Sequence, residues 1–85
     1  MKYLEVKTPR PVRFHARVTP EIVKTAESFE SEISISTKER TVSARNAISL
    51  MLLSVQSHMM VAADGPDEEE AAEAMKNTLI AVCGR

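Results

Sequence analysis

Residues 32–46 read "EISISTKERTVSARN", and this stretch decides what kind of fold the chain can adopt. In "EISIS", Ile33 and Ile35 alternate with serines, and in "TVSA", Val42 and Ala44 alternate with polar neighbours. A period of two places the apolar residues on one side of a pleated strand and the polar ones on the other. The polar "TKER" at 37–40 predicts a hairpin connection between the two runs, without the Asn-Gly signal of the tightest turns. Each strand thus brings one apolar face that needs a cover.

Working outward, "KYLEVK" at 2–7 repeats the alternation, with Tyr3 and Glu5 set against Leu4 and Val6. "TPRPVR" at 8–13 carries two prolines and is expected to be a loop. "TPEIVKTAESFE" at 19–30 changes the period to that of a helix. Thr19 is the expected cap, Pro20 suits the first helical position because it has no N–H, and Ile22, Val23, Ala26 and Phe29 share a face. Asn46 is the expected cap of a second helix, "AISLMLLSV" at 47–55, and "MMVAA" at 59–63 is expected to be a short buried strand. After Asp64-Gly65-Pro66, which is turn chemistry, Asp67 and Glu70 have the spacing of a capping box. Glu68, Glu69 and Glu70 suit the positive end of the helix dipole. Ala72, Met75, Leu79 and Val82 then form a buried stripe, and Gly84 can end the helix. The order is β-α-β-β-α-β-α. The economical solution is an α+β two-layer open-faced sandwich, a four-stranded antiparallel sheet with three helices on one face.

Composition narrows the function. Eighty-five residues, 44% apolar and 27% charged, suit a single domain over 1–85 with one modest core and no room for a deep multi-part active site. The formal charge of −1 gives no basic surplus, which argues against nucleic acid as the main partner. "MKYLEVKTPR" has no apolar run, so no signal peptide is expected, and nothing reaches the length of a membrane span. The one cysteine, Cys83, has no partner for an internal disulfide, which suits a reducing cytoplasm. No cofactor and no metal are expected. His15, His58 and Cys83 are ligand types without ligand spacing, and His58 reads as a turn residue ahead of the last strand. No serine lies in a nucleophile motif.

The chemistry concentrates in "RFHARVTP" at 13–20. His15 and Arg17 stand just ahead of a helix start. Taken alone, a loop histidine is more often solvated than reactive, and so is a surface arginine. Imidazole is nevertheless a neutral nucleophile near pH 7. A helix N-terminus with a nearby arginine also suits a phosphoryl group.

"FHAR", "EISISTKERTVSARN" and "ADGPDEEEAAEAM" together resemble the histidine-containing phosphocarrier protein (HPr) family of the bacterial phosphoenolpyruvate-dependent sugar phosphotransferase system. The resemblance covers roughly residues 2 to 82, and His15-Ala16-Arg17 is its most specific part. It implies the open-faced sandwich and a cytoplasmic phosphocarrier. His15 would accept phosphate from Enzyme I and pass it to a sugar-specific acceptor protein. Arg17 would be the phosphate partner, with backbone N–H groups near Ala16 and Arg17 as further donors. It also implies docking through the second helix and the histidine loop. Ile48, Met51 and Leu52 are the candidates there, because the apolar residues of "AISLMLLSV" cover more than one helix face. Extra core or a dimer contact is the alternative use of that surface.

The chain departs from the family pattern at named places. Arg13 and Phe14 stand where a glycine and a small aliphatic residue are usual, and the proline that usually follows the arginine has moved to Pro20. A proline there removes an N–H from the second turn of a helix begun at Ala16. Either the helix starts later or its first turn is distorted. Asn46 replaces a serine that a dedicated kinase phosphorylates in some members. The competing expectation is an HPr-like regulatory binding module that keeps the fold but transfers no phosphate.

Overall fold

The alternation read in the strands is an alternation of burial. A computed structural model describes residues 1–85. Strand β1 (Lys2–Val12) is followed by α1 (Thr19–Glu27), β2 (Glu32–Ser36), β3 (Thr41–Ser43), α2 (Ala47–Leu50), β4 (Gln56–Asp64) and α3 (Glu68–Val82). The strands form one antiparallel sheet in the order β1-β4-β2-β3. Val6, Ile33, Ile35, Met59, Val61 and Ala63 are buried beneath the helices. Tyr3, Glu5 and Met60 face solvent on the open side, where the paired Ser36 and Thr41 join hydroxyls at 2.8 Å. The architecture is the two-layer open-faced sandwich with the element order read from the sequence.

The helices cover the sheet with one stripe each. From α1 come Ile22 and Ala26; from α3 come Ala71, Ala72, Met75, Leu79 and Val82, all at or near zero exposure. A fully buried side chain of the Ile22 or Leu79 kind contributes about 1.5–3 kcal/mol through the hydrophobic effect. These stripes are therefore the main force setting helix against sheet.

Four local expectations are corrected. The segment 8–13 is mostly strand, because β1 continues to Val12 through an irregularity between Lys7 and Val12. The prolines are tolerated because β1 is an edge strand, where N–H groups facing away from the sheet need no ladder partner. Thr19 is not a cap but a buried helical residue, and Val18 holds the boundary position without a side-chain bond. The second helix does not reach Val55. After Leu50 the bonds tighten to Leu52 N–H with Ser49 O and Leu53 N–H with Leu50 O, and Leu53 turns into the core. Strand β4 begins at Gln56, so His58 lies within it, with Nε2 at 2.9 Å from Glu5 Oε2 on the open face.

Asp67 also has a different task. It stands at the N-cap position of α3 but makes no capping bond, and Glu70 is solvent-exposed instead of completing a box. Its carboxylate turns outward to accept from the Glu30 and Ser31 N–H groups at 3.0 and 2.9 Å, and from the buried Ser31 hydroxyl. These are the donors left over where the chain leaves α1 and enters β2. Gly65 lets the turn press against the same spot, since a Cβ there would lie 2.7 Å from Ser31 Cα. Glu68 does the local work at the helix start by accepting from Gly65 N–H at 3.3 Å.

The Ser31 hydroxyl, followed by the two backbone donors, holds Asp67 below the usual carboxylate range. A carboxylate depressed in the folded state stabilises the fold above its ordinary pKa, and that contribution is lost as pH falls through the folded value. Glu5, through His58, and Glu68, through the chain's amino terminus, act in the same direction. Asp67→Asn should therefore lower stability at about pH 7 while narrowing the loss between about pH 7 and about pH 3. Urea unfolding midpoints at the two pH values check this. An unchanged acid loss would show that Asp67 is not a proton-linked clamp.

Candidate functional site

The end of β1 and the start of α1 are pinned from below by buried residues. Val12, Phe14, Val18 and Thr19 are each at most 5% exposed. Between them His15, Ala16 and Arg17 stand in solvent, as does Arg13. The departure at Phe14 thus has a structural use, since its ring anchors the loop in the core immediately before the histidine.

The turn that follows is organised by His15 itself. Its carbonyl accepts from Val18 N–H at 2.9 Å and Thr19 N–H at 3.1 Å, so it closes the turn that leads into α1. Its ring also serves the turn, because Arg17 N–H donates to Nδ1 at 3.2 Å. Glu21 N–H next bonds Val18 O at 3.1 Å, a three-residue step, and Pro20 has no N–H to offer. Both branches of the proline expectation are met. The regular helix begins at Thr19, and a distorted turn over 16–18 precedes it.

A backbone N–H can only donate, so the Arg17 contact requires a lone pair on Nδ1 and puts the ring proton on Nε2. Nε2 faces the main-chain oxygen of Arg85 at 3.4 Å, a long contact consistent with the same tautomer. Arg17's guanidinium has no carboxylate partner among the ion pairs of the chain. The arrangement therefore offers an exposed nucleophilic nitrogen, a backbone N–H beside it, and an uncommitted cation on the same turn.

Helix α2 packs against α1 and β3. Asn46 caps it as expected, its Oδ1 accepting from Ser49 N–H at 3.1 Å. Ile48, Met51 and Leu52 are 75%, 44% and 56% exposed, while Leu50 and Leu53 supply the core. Arg45, before the cap, is committed elsewhere and donates to Phe29 O at 2.6 Å. His15, His58 and Cys83 are not gathered, and no group of three His, Cys, Asp or Glu side chains is placed to hold a metal ion. No helix is long and apolar enough to cross a membrane.

Arg85 was not anticipated from the sequence. Gly84 reads there only as a helix stop, yet it takes φ +79° and donates to Pro11 O at 3.0 Å, which turns the chain toward β1. Arg85 then reaches the site and places Nη1 2.7 Å from Glu21 Oε1. The available signal was a glycine followed by a basic residue after the last helix, which says where the helix stops but not what the tail meets.

Residues 4–81 match the family model described as "PTS HPr component phosphorylation site". The chain is 35% identical over 82 residues to the phosphocarrier protein HPr of Mycoplasma pneumoniae, covering 93% of each. It is 33% identical over 73 residues to that of Xylella fastidiosa strain Temecula1, covering 84% of this chain and 82% of the relative. Its structure superposes on HPr-C-His from Thermoanaerobacter tengcongensis with a TM-score of 0.84 at 29% identity, over 100% of this chain and 98% of the other. The chain belongs to the HPr family of phosphocarrier proteins.

Proposed function

We propose that His15 accepts a phosphoryl group from Enzyme I of the sugar phosphotransferase system and passes it to a sugar-specific acceptor protein, in the cytoplasm. The observation that carries this reading is the lone pair on an exposed Nδ1, held beside Arg17 N–H at the opening of a helix. In the transfer step, Nδ1 forms a bond to the donor's phosphorus while the bond from phosphorus to the donor breaks, and the electron pair leaves with the donor. The ring then carries phosphorus on Nδ1 and a proton on Nε2, a cation next to nearly two phosphate charges. Arg17 supplies charge-assisted donors to the phosphoryl oxygens, and its backbone N–H moves from nitrogen to oxygen. Partners would dock on Ile48 of α2 and on Met51 and Leu52 in the turn that follows it, exposed apolar residues beside the helix that packs on α1. Shallow exposure suits a carrier, because both partners must reach the same nitrogen.

Incubation with Enzyme I and phosphoenolpyruvate should add one phosphoryl group, labile in acid and stable in base, and His15→Ala should add none. Intact-mass spectrometry reads both. A wild-type chain that stays unmodified would sink the carrier reading and leave the regulatory binding module as the better account.

Ile48→Asp should slow transfer by about tenfold, the effect of losing a docking contact worth about 1–2 kcal/mol. Its unfolding free energy should stay within about 0.5 kcal/mol of wild type, as for other surface substitutions. Equal transfer rates would remove this patch from the interface.

Asn46 has no hydroxyl, so the serine kinase that acts on other family members should leave this chain untouched. Serine caps as well as asparagine, so Asn46→Ser should change stability by a few tenths of a kcal/mol at about room temperature, while Asn46→Ala costs about 0.5–2 kcal/mol. Offering wild type and Asn46→Ser to the kinase with ATP checks this. Phosphoserine on the wild type would refute the idea.

A further inference from the structure

We infer that Arg85 and Glu21 form a clasp that sets the tautomer of His15, which makes Arg85 a positioning residue for the acceptor nitrogen. The inference rests on the phosphocarrier reading for its use, but its physical basis is independent of phosphate. Neutral imidazole exists in two tautomers of similar energy, and only one leaves Nδ1 free to attack. On one side of the ring, Arg17 N–H reaches Nδ1. On the other, the Arg85 main-chain oxygen can only accept, so it favours a proton on Nε2. The two contacts select the same form.

The second contact is made by a residue beyond the last helix, and such residues stay mobile unless they are tied down. Three ties are present. Gly84 N–H bonds Pro11 O at 3.0 Å, and Arg85 N–H bonds Val82 O at 3.3 Å. The third is the ion pair from Arg85 Nη1 to Glu21 Oε1 at 2.7 Å, the only one made by a side chain. Glu21 lies in the first turn of α1, the same helix whose preceding turn carries His15. The pair therefore ties the end of α3 to the element that aims the imidazole. The pair is half-exposed, so it acts as a bias and not as a lock.

The test reads the ring directly, in protein that has never met a phosphate donor. Nitrogen-15 chemical shifts of His15 at a pH where the ring is neutral report which nitrogen bears the proton. Wild type should be predominantly protonated on Nε2. Arg85→Gln and Glu21→Gln should each raise the Nδ1-protonated fraction, by up to about fivefold given the worth of an exposed pair. Their combination should do no more than either alone. The exchanged pair Glu21→Arg with Arg85→Glu should restore the wild-type ratio, which a merely structural role would not produce. An unchanged ratio in both single variants, or a wild type protonated on Nδ1, overturns the clasp. Failure of the phosphocarrier reading would appear elsewhere, as a wild-type chain that keeps its tautomer yet never takes up phosphate from Enzyme I.

Discussion

A sheet with one apolar face cannot stand uncovered in water, and everything else in this molecule follows from meeting that demand on one side only. The alternating strands present Val6, Ile33, Ile35, Met59, Val61 and Ala63 to a single layer of helices. Covering them draws α1 and α3 across the sheet, which brings the start of α1 and the end of α3 to the same edge of the molecule. His15 lies at the first and Arg85 at the second. The His15 turn is thus a product of packing at a distance. Its own residues are exposed and contribute almost no burial; its placement comes from Phe14 and Val18, which are buried on either side.

That division explains what was legible in the sequence. Element order and core were, because a period of two or of 3.6 is a direct record of which side faces apolar neighbours. The His15 turn was visible as residue types, and its resemblance to a family supplied the role. Boundaries were read less well, for separate reasons. The prolines of 8–13 marked a loop, but a proline breaks a strand only where its missing N–H is needed, and an edge does not need it. Asp67 had the spacing of a cap, but spacing cannot say that Ser31 and Glu30 would present unpaired donors from the other direction. Arg85 was invisible because its contacts span 64 and 70 residues of chain.

Pro20 shows how a departure from a family pattern is absorbed. Moving the proline into the helix removes one i−4 bond, a loss that would distort a long helix. Here it falls at the seam between a tight turn and the regular helix, where Val18, Thr19 and Glu21 already use three-residue and doubled bonds. The His15 carbonyl takes two donors, so the turn stays closed without the contribution of residue 20. The Arg17 N–H that donates to His15 Nδ1 keeps its place because it belongs to the turn and not to the helix behind it.

The same arrangement balances two opposed requirements of a carrier. A phosphoryl group held too firmly is never passed on, and one held too loosely never loads. The contacts of the His15 ring are weak individually, one backbone N–H at 3.2 Å and one main-chain oxygen at 3.4 Å, and the Arg17 side chain on the same turn is exposed. None is buried, so each interacts through water-like screening and not through a low-dielectric interior. Under the proposed function, a docking partner would change that by excluding water, which would strengthen the charges it faces during transfer. On this view the protein contributes aim, and the partner contributes force. An acceptor site on a small open-faced sandwich needs no more than a ring held in one tautomer and an arginine that has not been spent on a salt bridge.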